Sequence, residues 1–246
     1  MTTRLRVVTY NIHKCRGLDR RVDPDRIAAV LSEFDADVIA LQEILDVKDA
    51  APKWDQVRRI HAKFPGYHRC FGENRPLRGG GYGNMTLSRL PVRLCRNYDV
   101  SWRRRERRGC LRSDLFLSDG SVLHIFNVHL GTSFIERRHQ ARRLVSDKVL
   151  NLRECCGPRI VVGDFNEWTR GLASRLMGQA FAALDPRAFA RYSRSYPGFL
   201  PLLHLDHFYY DRHLLLNSFH IHRGRKALVA SDHLPMVAEF EVKPAP

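Results

Sequence analysis

The chain has 246 residues, 44% of them hydrophobic and 27% charged, a composition that builds a substantial core and excludes a disordered chain. Lys and Arg exceed Asp and Glu by 41 − 26 = 15, an excess that draws polyanions, whether nucleic acid or an anionic membrane surface. No apolar run reaches membrane-spanning length, the start lacks a signal-peptide stretch, and the six cysteines show no C-x-x-C spacing. The expectation is a soluble cytoplasmic protein with neither a disulfide framework nor a zinc site.

In chain order, Arg4 to Tyr10 reads as a strand. A helix follows, with Asp23 as N-cap, Pro24 at its first position and Ile27, Val30, Leu31 and Phe34 on one face. Val38 to Leu41 is a short buried strand, and Val57, Ile60 and Phe64 mark a second helix ending at Pro65-Gly66. The glycine-rich stretch between Phe71 and Gly83 reads as a flexible loop. Strands are predicted near 84–88, 92–100, 110–118 and 121–129, the last two joined by the turn Ser118 to Ser121. Ser133 and Glu136 have the spacing of a capping box, and apolar residues from Ala141 through Val149 to Leu152 predict a long helix. A buried strand from Arg159 to Gly163, a helix over 170–178 and strands near 205–210, 213–222 and 234–242 complete the chain. Such a mixture predicts one α/β domain over residues 1–246, a four-layered sandwich of two packed, mixed and mainly antiparallel sheets flanked by helices.

Apolar strands here repeatedly end on a polar residue that can bind metal or phosphate. Asn11, Glu43, His129, Asp164, Asp206 and the pair Asp232-His233 all stand at such ends, where a shared rim would gather them into one cleft. Taken singly, Asn11 and Asn166 suit turns, Asp164 suits a cap and His129 suits a satisfied strand end. Taken together and in this order, they form a pattern that turn chemistry does not explain.

The segments Thr9-Tyr10-Asn11-Ile12-His13, Leu41-Gln42-Glu43, Asn127-Val128-His129-Leu130-Gly131, Gly163-Asp164-Phe165-Asn166, Leu205-Asp206-His207 and Ser231-Asp232-His233 resemble the ordered motifs of the endonuclease/exonuclease/phosphatase superfamily. The chain also resembles small stand-alone bacterial members of that superfamily. The resemblance implies a metal-dependent phosphoesterase. Glu43 would be the primary metal ligand, with Asn11 and Asp232 completing or adjoining the site, and an oxygen-only ligand set selects Mg²⁺ or Mn²⁺ over zinc. Asp164 would orient or deprotonate the attacking water, and Asn166 would hold that water or a phosphate oxygen. His233 would contact phosphate and transfer a proton, Asp206 would orient its ring, and His129 would bond a second phosphate oxygen. Asp206 and His207 point to opposite faces of a strand, so only one enters the cleft, and Asp206 is chosen. His13, His124 and His204 match no motif position and are read as non-catalytic.

Arg103, Arg104, Arg105, Arg107 and Arg108, beside Trp102, form a basic run expected to contact the substrate's anionic surroundings. Arg137 and Arg138 oppose the dipole of their helix, an opposition that a bound phosphate would relieve. A nuclease acting on DNA or RNA is the first reading, with Trp102, Tyr82 and Tyr196 available to stack on bases. The alternative is a phospholipid or headgroup esterase, sphingomyelinase-like or inositol-phosphatase-like, with peripheral contact to an anionic membrane. That reading draws on the apolar run Tyr196 to Leu203, whose simpler role is core packing. A non-catalytic binding module would require the loss of a motif residue, and every one is present.

Overall fold

The first strand, β1 (Thr3–Asn11), alternates residues between two buried faces, so it must lie at the middle of a layered structure. The computed structural model describes residues 3–47, 51, 53–77, 79–168, 171–183 and 194–243. Asp23 caps α1 (Pro24–Leu31) as predicted, its side chain accepting from the Arg26 amide at 3.1 Å. Next come β2 (Val38–Asp46), α2 (Gln56–His61), β3 (His68–Leu77) and β4 (Gly80–Ser88). The stretch expected as a loop is therefore a hairpin. Its glycines permit close strand approach, because a Cβ at Gly83 would run into the Gly72 carbonyl.

The chain continues with β5 (Val92–Asp99), β6 (Gly109–Phe116), β7 (Val122–His129) and α3 (Phe134–Leu144). Ser133 is the N-cap of α3, but its side chain makes no capping bond; Glu136 instead accepts from Gln140 Nε2 at 3.1 Å. The helix also stops short of Val149, because the Asn151 side chain bonds the Val145 carbonyl at 2.6 Å and turns the chain away. Then follow β8 (Arg159–Asp164), α4 (Leu172–Ala180), β9 (Ala182–Ala183), β10 (Asp206–Tyr210), β11 (Leu214–Ile221), α5 (Ala227–Ala230) and β12 (Met236–Val242). Position 170, where the predicted helix begins, lies outside the described residues.

Among the described residues two six-stranded sheets result, ordered β11-β12-β1-β2-β4-β3 and β5-β6-β7-β8-β10-β9. The pairs β1·β2 and β7·β8 are parallel and the others antiparallel. One apolar cluster joins α1, α2 and the first sheet to Leu115, Ile125, Ile160, Val162 and Phe208 of the second. Another packs Phe126, Val128, Val161 and Tyr209 against α3 and α4. The layers are thus helix, sheet, sheet, helix, the predicted sandwich.

Alternation along these strands aims the polar ends. Ile125, Asn127 and His129 share a face of β7, Ile160, Val162 and Asp164 share one of β8, and Asp206 shares one with Phe208. All face the space between the sheets. Below the site that space is bolted by buried amides: Gln42 Nε2 donates to Asn127 Oδ1 at 2.8 Å, and Asn127 Nδ2 donates to Leu41 and Met85 carbonyls at 3.0 Å each. Paired in this way, buried amides fix one register between the sheets instead of costing stability.

Candidate active site

The register of the strands brings their ends to one rim. Asn11 lies opposite Gln42, His129 opposite Asp164, and Asp164 opposite Asp206. Strict alternation would send Glu43 to the helical side, away from Gln42. A bulge in the β2·β4 pairing between Leu41 and Ile44, with Glu43 at φ 59°, turns it into the cleft instead. Left-handed backbone at a glutamate costs about 1–3 kcal/mol, so the position is held by its surroundings. Gly163, at φ 137°, lets β8 rise to Asp164 where a side chain would strike the Val128 carbonyl.

Within the cleft, Asn11 Nδ2 donates to Asp164 Oδ2 at 2.9 Å and to Glu43 Oε1 at 3.4 Å. Two imidazoles flank the same carboxylate oxygen, His129 Nε2 at 3.6 Å and His233 Nε2 at 3.7 Å from Asp164 Oδ2. His233 Nδ1 donates to Asp206 Oδ2 at 2.9 Å, and Ser195 Oγ donates to the same oxygen at 2.6 Å. Burial works to discharge His233, but the Asp206 and Asp164 carboxylates outweigh it and push its pKa up to about 10. His233 is thus a cation at neutral pH with Nε2–H aimed at Asp164. Burial pushes the Asp164 carboxyl up to about 7, with His233 acting in the opposite direction.

His129 is set the other way. Burial and the Arg108 guanidinium hold its pKa well below the ordinary imidazole value. Arg108 Nη1 lies 3.2 Å from His129 Nδ1. A guanidinium only donates, so Nδ1 accepts and the single ring proton sits on Nε2, facing the cleft. Burial alone would raise the Glu43 carboxyl, but the neighbouring Lys14 ammonium holds it well below the usual carboxylate range. The Lys14 ammonium forms an ion pair with Glu43 Oε2.

Placement of the predicted residues is uneven. Asn11, Glu43, His129, Asp164, Asp206 and His233 meet in one hydrogen-bonded and charge-coupled group. Asn166, at φ 50°, uses Nδ2 to bond the Leu130 carbonyl at 3.0 Å and so braces the loops after β7 and β8. Asp232 lies against His13, 3.4 Å from its Nδ1, at the mouth of the cleft. His13 therefore borders the site, although no motif position was assigned to it. Arg103, Arg104, Arg105 and Arg107 are exposed, but Arg108 is buried. Its place in the basic run is corrected to that of a support for His129. Arg137 is buried too, its Nη1 donating to the Gly131 and Thr132 carbonyls. Tyr82 is buried beneath Lys14 and Arg75 and offers no face to a base. His207 packs on Phe165 and Tyr209, outside the cleft. Lys14 and Ser195 were missed: Lys14 follows a motif closely enough to have been suspected, whereas Ser195 is 11 residues from its partner and carries no signal.

Among the described residues, Asp164, Asp206 and His233 bring ligand atoms within 4.8 Å of one another, a spacing that could hold a metal ion. His233, however, is protonated and bonded to Asp206, and a ligating imidazole must give up that proton. The Glu43 carboxylate, beside Asn11 and already paired with the Lys14 ammonium, fits a hard oxygen-seeking cation better.

A profile of the Endonuclease/Exonuclease/phosphatase family matches residues 8–233. The protein named YbhP from Escherichia coli (strain K12) is 30% identical over 213 residues, covering 83% of each chain. In fold, the chain resembles an endonuclease/exonuclease/phosphatase family protein from Bacteroides thetaiotaomicron, with TM-score 0.81 and 19% identity over 99% of this chain and 96% of that one. It also resembles the mannosyl-6-phosphatase Bt3783 from Bacteroides thetaiotaomicron VPI-5482, with TM-score 0.74 and 18% identity over 96% of this chain and 99% of that one.

Proposed function

Because the chain belongs to the Endonuclease/Exonuclease/phosphatase family, we propose that its cleft hydrolyses phosphodiester bonds with the help of a divalent cation, Mg²⁺ or Mn²⁺. The observation that carries this reading is the convergence of the His129 and His233 Nε2 atoms on the Asp164 carboxylate, at 3.6 and 3.7 Å. A phosphodiester is an anion that resists attack, so hydrolysis needs charge neutralisation, a directed water and support for the departing oxygen. Glu43, with Asn11 alongside, would hold the metal, which would supply Lewis-acid neutralisation of phosphate charge.

The remaining work falls to side chains. Asp164, with a pKa near 7, orients the water and takes its proton at neutral pH. His129 donates Nε2–H to one phosphate oxygen, and the cationic His233 donates to another and stabilises the charge that develops there. Asp206 holds the His233 ring with its proton on Nδ1. Asp232, at the mouth beside His13, would add negative charge to the rim of the cleft.

Nucleic acid is the substrate that the net charge of +15 and the arginine loop favour. A second reading, cleavage of phospholipid headgroups at an anionic bilayer, is favoured by a specific observation. Phe199, Leu200 and Leu202 are 65%, 57% and 54% exposed instead of packing into the core. Aliphatic side chains gain nothing from a phosphate backbone, whereas they gain from a bilayer. A fold shared with a mannosyl-6-phosphatase does not choose between these substrates. The cytoplasmic location expected from the sequence belongs to this proposal, and no helix among the described residues is long and apolar enough to cross a membrane.

A panel of single- and double-stranded DNA, RNA, phospholipid vesicles, inositol phosphates and bis-p-nitrophenyl phosphate, with Mg²⁺ or with chelator, tests the reading. Metal-dependent turnover of at least one diester is expected. Full activity in chelator, or none on any diester, overturns it.

A further inference from the structure

Ten large hydrophobic side chains are exposed among the described residues, and six of them lie in segments that adjoin the cleft-side strand ends. Phe134 and Ile135 open α3, directly after the β7 end that carries His129. Trp168 is four residues beyond Asp164. Phe199, Leu200 and Leu202 sit in the loop that the Gly198 amide ties to the Asp232 carbonyl at 2.7 Å, and its Tyr196 ring lies 4.9 Å from that of His233. Apolar exposure in a folded protein is usually scattered; here six of the ten side chains gather beside one opening.

Basic residues stand on the same rim. The loop from Val100 to Arg108 joins the rim-side ends of β5 and β6, and its Trp102 ring lies 6.2 Å from His139 of α3. Arg103, Arg104 and Arg105 are exposed and carry no ion pair among the described residues. Arg138 lies over the Phe134 ring at 5.6 Å. Apolar tips interleaved with unpaired arginines match the two layers of an anionic bilayer, acyl chains beneath phosphate headgroups.

We propose that this rim is a docking surface for an anionic lipid bilayer, seated so that the catalytic cleft opens toward the headgroups. The inference deepens the lipid reading above and rests on it. The arginines draw the protein to the surface and the Phe199 loop, with Trp168 and the start of α3, enters it. Each arginine near an anionic surface contributes about 1 kcal/mol, roughly fivefold in binding, and each inserted apolar side chain contributes about tenfold or more.

Flotation with phosphatidylcholine vesicles, with and without about one-third phosphatidylglycerol, tests this without any requirement for catalysis. The wild type should float with the anionic vesicles and far less with the neutral ones. The triple variant Phe199→Ser/Leu200→Ser/Leu202→Ser should lose at least about a hundredfold in binding while cleaving bis-p-nitrophenyl phosphate at the wild-type rate. Arg104→Ser/Arg105→Ser should lose about 25-fold on anionic vesicles only. Tryptophan emission should shift to the blue on vesicles, and Trp168→Phe should remove much of that shift. His233→Ala should float like the wild type, so a failed chemistry and a failed docking are told apart. The proposal is overturned if the wild type floats with neither vesicle, or if the triple variant floats as well as the wild type. Retention of the arginine-dependent affinity for an oligonucleotide alone would assign the rim to nucleic acid and likewise overturn it.

Discussion

Replacing Asp206 with Asn removes one charge and almost no volume, at a point where the structure leaves the amide no good setting. Asp206 Oδ2 accepts from Ser195 Oγ and His233 Nδ1, while Oδ1 is buried with no hydrogen-bond partner among the described residues. With its NH₂ at the former Oδ2, Asn faces the Nδ1–H of His233 and forces the ring proton onto Nε2. With its oxygen there, the NH₂ is buried where Oδ1 now lacks a partner, at about 1–3 kcal/mol. Either way the carboxylate foremost in raising the His233 pKa to about 10 is gone. An Asp→Asn change that imposes the wrong tautomer in a Ser-His-Asp triad costs about ten-thousandfold in kcat, so a loss of about a thousandfold to ten-thousandfold is expected here. The assay is kcat on bis-p-nitrophenyl phosphate with Mg²⁺ or Mn²⁺, with near-UV circular dichroism as the check on folding. Adding Asp206→Asn to His233→Ala should slow that variant hardly further, since the two act as a unit. The same pair sets a sign for stability. His233 gains a raised folded pKa, so its contribution is complete below the unfolded value near 6.5 and is lost as pH rises through about 10. The Tm gap between wild type and Asp206→Asn should narrow over that window. A kcat loss below about tenfold, or losses that multiply in the double variant, would refute the reasoning.

Arg108→Met should let the His129 pKa rise, visible in an imidazole NMR titration, and should lower kcat about 10–100-fold, the usual cost of losing an orienting partner. Glu43→Gln keeps shape and removes charge; it should weaken Mn²⁺ binding, read by isothermal calorimetry, and greatly reduce turnover at physiological Mg²⁺, with the fold intact. Away from the cleft, Arg112 forms a two-pronged pair with Asp114 at 2.7 and 2.6 Å, and His124 Nδ1 lies 2.7 Å from the same carboxylate. Burial would raise the Asp114 carboxyl, but His124 and Arg112 outweigh it and hold it low. Asp114→Asn should therefore cost about 3–5 kcal/mol, or roughly 10 °C in Tm. That cost should shrink on acidification below about pH 4, as the wild-type carboxylate itself protonates.

Much of this was legible because strand ends speak in short range. Apolar runs locate β7, β8 and β10, and the period of two along β10 sends Asp206 and His207 to opposite faces, so that Asp206 enters the cleft while His207 packs on Phe165. Asp23 and Pro24 mark the start of α1 by local chemistry alone. What stayed hidden depends on distant partners. The bulge at Glu43 leaves no trace in a run of apolar residues. Glycines between 79 and 83 suggest a loop until the neighbouring strand that needs their bareness is known. Arg108 looks like its four exposed neighbours, and only the fold shows that it alone turns inward to His129. The apolar run before β10 reads as core, and its exposure follows from the Gly198 bond to Asp232, a contact across 34 residues.

The most direct test of the central claim follows the oxygen. Hydrolysis of an active diester in ¹⁸O-enriched water, read by ³¹P NMR of the product, reports whether water attacks phosphorus in this cleft. One ¹⁸O atom should enter each phosphomonoester formed by the wild type, and turnover should cease in chelator and fall by several orders of magnitude in His233→Ala. Product phosphate free of label, or labelled turnover that survives both chelation and the loss of His233, would contradict the account.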